Sequence, residues 1–118
     1  MFVSVVIPTY NRRPILEKCL SALEDQQLAG ALQDYEVVVV DDGSTDGTPS
    51  WLSEQSQRFP HVRLIEQEHG GPAEGRNRGV DHARGDVIVF IDSDLVVTET
   101  FLATHARALQ QCWQRRGD

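Results

Sequence analysis

The sequence predicts an α/β domain, a parallel sheet with helices on both faces. Three observations predict it. Short apolar runs rich in β-branched residues recur along the 118 residues, and such runs read as strands buried on both faces. Segments with apolar residues at helical spacing lie between them. Each run stops at residues that form turns or cap helices instead of extending a strand. Strand–helix alternation of this kind implies parallel strands joined by right-handed crossovers. The expected strand order is 3-2-1-4, which puts a topological switch point between the first and fourth strands.

The first strand is expected over Phe2–Ile7, ended by Pro8, which has no N–H to give to a ladder. Thr9-Tyr10-Asn11 follows as a loop at its carboxyl end. Arg13-Pro14 opens the first helix, with proline in the first turn. Ile15, Leu16, Cys19, Leu20 and Leu23 form its apolar face, and Leu28-Ala29-Gly30 ends or loosens it. The second strand, Tyr35–Val40, gives way to Asp41-Asp42-Gly43-Ser44-Thr45-Asp46-Gly47, a run of turn formers and caps. Thr48 is expected to cap a short helix that turns Trp51, Leu52 and Gln55 inward and breaks at Phe59-Pro60. Val62–Ile65 is the third strand, and Gln67–Gly71 a polar loop after it.

Pro72 opens the third helix. Ala73, Asn77 and Val80 share a face by their spacing, which points Asn77 toward the core or the sheet edge, with Arg76 beside it. Arg84-Gly85 ends the helix. Val87-Ile88-Val89-Phe90-Ile91 is the fourth strand, and it runs into Asp92-Ser93-Asp94. A last helix starts at Thr98-Glu99-Thr100, with Phe101, Leu102, His105, Ala108, Leu109 and Cys112 on one side and Trp113 nearby.

One domain suits this length. The net charge is -7, from 18 acidic and 11 basic side chains. That balance argues against nucleic acid or an anionic membrane surface as the main partner. It also repels an anionic ligand unless a cation screens the site. No apolar run approaches the roughly 20 residues of a membrane span, and Met1-Phe2-Val3-Ser4 has neither a basic n-region nor a cleavage site. A cytoplasmic location is therefore expected. Cys19 and Cys112 read as free, buried or half-buried thiols in a reducing compartment.

Connectivity alone gathers Pro8–Asn11, Asp41–Thr45, His69–Gly71 and Asp92–Asp94 at the carboxyl edge of the sheet, where open α/β sheets bind ligands. Asp41, Asp42, Asp92 and Asp94 are expected to converge there. Two like charges 4 Å apart repel by about 1 kcal/mol in water and several times more in a partly buried site, so such a cluster calls for a cation or hydroxyl donors. Carboxylates at the end of a second strand commonly take ribose hydroxyls. Carboxylates with phosphate oxygens and water are the usual ligands of Mg²⁺ or Mn²⁺. Taken alone, Asp92 and Asp94 are equally consistent with capping the next turn.

Some sites are absent from the sequence. No Gly-x-Gly-x-x-Gly follows the first strand and no Gly-x-x-x-x-Gly-Lys-Ser/Thr occurs. Asp92-Ser93-Asp94-Leu95-Val96 also resembles the nucleophile motif of haloacid-dehalogenase-type phosphatases. Those enzymes need a lysine at another strand end, whereas the only lysine, Lys18, lies on the first helix.

Four stretches, in order, carry a more specific resemblance: Val5-Val6-Ile7-Pro8-Thr9-Tyr10-Asn11-Arg12, Val38-Val39-Val40-Asp41-Asp42-Gly43-Ser44-Thr45-Asp46-Gly47-Thr48, Gly71-Pro72-Ala73 through Arg76-Asn77-Arg78-Gly79, and Phe90-Ile91-Asp92-Ser93-Asp94. Together they resemble the signatures of the family 2 glycosyltransferases. The resemblance implies the GT-A nucleotide-diphospho-sugar transferase fold, a Rossmann-like sheet. It implies a donor that is a nucleotide diphospho-sugar, with UDP-sugar expected, and transfer to an acceptor hydroxyl with inversion. It further implies dependence on Mn²⁺ or Mg²⁺.

Carried over residue by residue, the nucleotide-sugar-binding set is Pro8, Thr9, Tyr10, Asp41, Asp42, Arg76, Asp92 and Ser93. Pro8–Tyr10 and Asp42 would meet the base and Asp41 would support that loop. Arg76 would lie near the base or diphosphate, and Asp92 near the ribose and metal. Asp94 would be the direct metal ligand, with Asp92 assisting. Gly75-Arg76-Asn77 departs mildly from the family's Ala-Arg-Asn.

In this family the acceptor pocket and the catalytic base come from sequence after the metal motif. Residues 1–118 are thus expected to form a single nucleotide-sugar-binding domain that stops after that motif and the following helix, with no catalytic base of its own. A longer protein could sit at the cytoplasmic face of a membrane. A non-catalytic nucleotide-sugar-binding module is the alternative reading. Of the rest, Asp46 reads as a helix N-terminal residue and Asn77 as structural. His61, His82 and His105 read as surface or helix-face residues, His69 as an edge-loop residue, and Trp51 and Trp113 as packing residues.

Overall fold

The computed structural model describes residues 1–115, and side chains through Cys112. The elements run β1 Phe2–Thr9, α1 Arg13–Glu24, β2 Asp34–Asp41, α2 Thr48–Glu54, β3 Val62–Glu66, α3 Pro72–His82, β4 Val87–Phe90 and α4 Phe101–Arg115. The sheet is four-stranded with the order β3-β2-β1-β4, and every pairing is parallel. This is the architecture expected from the alternation. No helix among the described residues is long and apolar enough to cross a membrane.

The two faces of the sheet are built differently. Val3, Val5, Ile7, Val37 and Val39 pack against Leu16, Cys19, Leu20 and Leu23 of α1, Trp51 and Leu52 of α2, and Leu102 and Ala106 of α4. Val6, Val38 and Val40 face the other way, with Ile65 and Ile88 beside them. There α3 comes down on β1. A Cβ on Gly75 would meet Pro8 Cβ at 3.1 Å, and one on Gly79 would meet Val6 Cγ1 at 2.2 Å.

That contact corrects the expected face of α3. Ala73, Asn77 and Val80 are all exposed, while Gly75 and Gly79, four apart, are the buried pair. A stripe without side chains lets the helix backbone approach the strand, an interface that an apolar pattern does not display. Ile15 is likewise exposed on α1, at 46%. On α4, His105, Ala108 and Cys112 are exposed and Ala106 is buried. The Trp113 side chain lies outside the described residues.

Pro8 does not end β1; the strand continues to Thr9, with Pro8 paired to Val40. The Val6 carbonyl accepts from Ile91 N and the Thr9 carbonyl from Asp42 N. Backbone groups of successive residues alternate sides, so Pro8 turns its missing donor toward β4, where pairing has already stopped at Phe90. β4 is an edge strand, partly exposed along its length, and not the doubly buried strand its composition suggests.

At the opposite end, Glu36 is buried. It accepts from Ser4 Oγ (2.6 Å), from Arg63 Nε (3.0 Å) and from Arg84 N (2.7 Å), tying β1, β2, β3 and the end of α3 together. His61 is half-buried, not a surface residue, and stacks on Tyr35 with ring centroids 4.2 Å apart.

Candidate functional site

β1 and β2 run on to Thr9 and Asp41, whereas β4 stops at Phe90, the register partner of Val6. This step at the switch point leaves a cleft of about 450 Å³ lined by Pro8, Thr9, Tyr10, Arg12, Asp42, His69, Pro72, Arg76, Asp92, Ser93 and Asp94. All but one of the nucleotide-sugar and metal residues expected from the sequence therefore share one cleft. Asp41 does not line it.

Asp41 is buried beside the cleft. One carboxylate oxygen accepts Ser44 N at 2.9 Å, and the other has no partner. Its register neighbour Thr9 also has an unpartnered buried hydroxyl. Asp42 lies on the other face of the sheet and reaches the third loop. Its Oδ1 accepts from Gln67 Nε2 at 2.8 Å and Gly70 N at 2.7 Å, and its Oδ2 from Gly71 N at 3.0 Å. His69 Nδ1 is 3.0 Å from Oδ2. Burial opposes ionisation of Asp42, but the bonds from Gln67, Gly70 and Gly71 and the nearby His69 ring outweigh it and hold the carboxyl below its ordinary range.

The loop after β1 is fixed by the loop after β2. Asn11, with φ 51, accepts from Thr45 N on its side-chain oxygen at 2.7 Å and donates its own N–H to Ser44 Oγ at 2.9 Å. Asparagine tolerates this left-handed conformation better than most residues. Asp46 then serves two helices. It accepts from Arg13 N at the start of α1 and from Thr48 N and Oγ1 at the start of α2. Thr48 is thus the first helical residue and Asp46 caps it, with Gly47 at φ 83 turning the chain between them. A carboxylate placed at two helix N-termini is favoured by both dipoles.

Across the cleft, Ser93 is buried while Asp92 and Asp94 are exposed, and Leu95 N closes a turn onto the Asp92 carbonyl. Cys19 sits below this loop, its thiol 4.0 Å from the Asp92 carbonyl. Burial, and then the charge of Asp94, push the thiol up to about 12. Arg12 and Arg76 line the cleft and make no ion pair among the described residues. Tyr10 and His69 lie against each other at its mouth, ring centroids 4.5 Å apart and tilted by 41°.

Arg12, Pro72 and His69 are cleft residues that the sequence reading did not assign. The position of His69 in an edge loop was its only signal. Asn77, by contrast, lies on a separate groove with Glu66, Glu68, Glu74, Arg78 and Asp81.

The donor set suits a hard divalent cation: two exposed carboxylates facing an open cleft. No group of three or more His, Cys, Asp or Glu side chains that could hold a metal occurs among the described residues. Such a cation would therefore take its remaining ligands from water and from phosphate oxygens, as Mg²⁺ and Mn²⁺ commonly do.

The sequence matches the family described as Glycosyl transferase family 2 over residues 4–113. The chain belongs to this family. Among curated relatives, the uncharacterized glycosyltransferase YfnE of Bacillus subtilis (strain 168) is 38% identical over 92% of this chain and 27% of its own length. The poly(ribitol-phosphate) beta-glucosyltransferase of Bacillus spizizenii is 38% identical over 80% of this chain and 15% of its own.

Two solved structures share the fold. S. aureus TarS 1-349 in complex with UDP-GlcNAc superimposes with a TM-score of 0.80 at 31% identity, over 94% of this chain and 32% of that one. Mannosyltransferase PcManGT from Pyrobaculum calidifontis, in complex with GDP-Man and Mn2+, gives 0.69 at 38% identity, over 78% and 27%. The chain thus spans about a quarter of the length of the first relative and less of the second.

Proposed function

We propose that the cleft holds a nucleotide diphospho-sugar and that the protein transfers its sugar to an acceptor hydroxyl. The observation that carries this is one cleft at the switch point, with Pro8, Thr9, Tyr10 and Asp42 on one wall and Asp92, Ser93 and Asp94 on the other. The base and ribose belong at the first wall and the diphosphate between the second wall and Arg76. Complexes of similar proteins with UDP-GlcNAc and with GDP-Man and Mn2+ support this reading.

Three carboxylates and two guanidinium groups line the cleft, so a diphosphate needs further positive charge. Asp94, assisted by Asp92, would hold Mn²⁺ or Mg²⁺, which supplies charge neutralisation of the diphosphate leaving group. Arg76 and Arg12 are free to orient phosphate oxygens. Asp41 braces the loop beneath. The acceptor hydroxyl would displace the diphosphate directly, with inversion. The base that deprotonates it is assigned, by the family resemblance, to sequence outside residues 1–118, and UDP is the expected donor nucleotide. On this reading residues 1–118 are the donor-binding part of a longer enzyme.

Thermal melts with UDP and Mn²⁺ test the assignment. Ligand and metal together should raise the melting temperature, and Asp94→Ala should remove the metal-dependent part. Calorimetry showing no binding of UDP, GDP or TDP, with or without metal, would sink the donor-site reading.

A further inference from the structure

One buried side chain outside the cleft joins the end of α1 to the start of α4. Gln26, 8% exposed, lies just past the last turn of α1. Its Nε2 donates to the Ala22 carbonyl at 3.2 Å and to the Thr98 carbonyl at 2.6 Å, and its Oε1 accepts from Leu102 N at 2.9 Å. Carbonyls only accept and an N–H only donates, so the partners themselves fix which way the amide is turned. Leu102 N belongs to the first turn of α4, whose amides a helix cannot satisfy internally. The backbone bond from Gln27 N to the Glu99 carbonyl, 2.8 Å, extends the same seam.

Thr98 and Leu102 bound the far end of the segment that carries Asp92 and Asp94. At its near end Ile91 N bonds the Val6 carbonyl, and between the two ends Leu95 N closes a turn on the Asp92 carbonyl. Asp92 and Asp94 are exposed, so their placement depends on how the backbone is held on either side. Val97 packs on the core, but apolar contact is non-directional. The hydrogen bonds of Gln26 are directional and fix where along the chain the segment is gripped.

We propose that Gln26 is a positioning residue for the metal: by pinning Thr98 and Leu102 it takes up the slack in Asp92–Val97, so that Asp94 and Asp92 meet the cation already in place. A segment ordered beforehand costs less to engage than one ordered by the ligand. Gln26 does not line the cleft and acts only through that segment. The proposal rests on the donor-site reading with Asp94 as metal ligand.

Hydrogen exchange of the ligand-free 118-residue chain, and calorimetry with UDP or GDP in the presence and absence of Mn²⁺, test it. Gln26→Met keeps the length and bulk of the side chain and loses all three hydrogen bonds. The amides of Ser93–Val97 should exchange about tenfold faster in this variant. The tightening of the nucleotide by Mn²⁺ should fall about tenfold, the scale of ordering one further residue, with metal-free binding unchanged. Gln26→Glu keeps the acceptor for Leu102 N but not the donor to Thr98, and should fall between; it decides on the same readouts if Gln26→Met does not fold. Val37→Ala, a loss of core packing in the far half of the sheet, should leave both readouts at the wild-type level. Wild-type exchange in Ser93–Val97 or a wild-type Mn²⁺ effect in a folded Gln26 variant overturns the proposal, as does an equal loss in Val37→Ala, and the donor site stands. A wild type that binds neither nucleotide overturns the donor-site reading. One that binds with no Mn²⁺ effect overturns the metal assignment, and either result takes the proposal with it.

Discussion

Gly79 of α3 lies so close to Val6 of β1 that a Cβ added to the glycine would stand 2.2 Å from Val6 Cγ1. Real atoms do not approach that closely, and Val6 is fully buried with no room to retreat. The missing side chain is what lets α3 cover this face of the sheet. It also sets the height of Pro72 and Arg76, on the same helix, at the cleft.

Gly79→Ala should therefore destabilise the chain despite alanine's better helix propensity. Overpacking costs about 1–3 kcal/mol, against a propensity gain of about 1 kcal/mol. Urea unfolding of Gly79→Ala, Val6→Ala and the double variant would measure it. The double variant should be more stable than the sum of the two single losses predicts. Strict additivity would show that the contact is relieved in some other way.

Glu36 should dominate the acid limb of stability. Burial opposes its ionisation, but the Ser4 hydroxyl, Arg84 N–H and Arg63 guanidinium more than compensate, and the carboxyl is held below its ordinary value of 4.5. A lowered carboxyl contributes stability that is complete above the unfolded value and lost as pH falls through the folded one. Stability of the wild type should thus decline below about pH 4.5. Glu36→Gln should be less stable near neutrality, on the order of 1–3 kcal/mol, and should show a flatter acid limb. Parallel curves for the two proteins would rule this out.

Asp94→Ala separates ligation from folding. Asp94 is exposed and accepts no hydrogen bond among the described residues, so without metal its replacement should leave the melting temperature nearly unchanged. With UDP and Mn²⁺ at about 100 times the dissociation constant, the wild type should gain about 2.7 kcal/mol, and the variant only the metal-independent fraction. A metal-dependent gain that survives in Asp94→Ala would move the metal elsewhere.

The two cysteines should differ sharply in reactivity. Cys112 is exposed, while Cys19 is buried with its thiol pushed up to about 12. Thiolate is the reactive form. A thiol reagent should label Cys112 in the native chain and Cys19 only after unfolding. Native labelling of Cys19 would show that the loop carrying Asp92 opens on the timescale of the reaction.

The sheet and the cleft at its carboxyl edge are legible because they follow from connectivity: four apolar runs, three crossovers, and loops collected at one end. The helix faces were less so. α3 presents glycines to the sheet, and a pattern search for apolar side chains passes over Gly75 and Gly79 and selects Ala73, Asn77 and Val80 instead. Pro8 looks like a terminator in sequence because the side on which its missing N–H falls depends on where β4 stops. The acidic run is legible as part of that edge but not residue by residue. Asp41, Asp42 and Asp46 are similar in sequence, and only their partners show that the first sits within its own turn, the second holds the His69 loop, and the third caps two helices.

Those partners divide the edge unequally. Hydrogen bonds knit the loops at Tyr10–Arg12, Asp42–Gly47 and Gln67–Gly71 to one another, while none joins Asp92–Val97 to the other three among the described residues. Lengthening any knitted loop would disturb all three, so their lengths are bound to change together or not at all. The segment after Asp94 can take insertions alone. Divergence toward new ligands within this architecture has its open ground there, next to exposed Leu95 and Val96, and a library of loop lengths between Asp94 and Val97 is where altered selectivity should be sought.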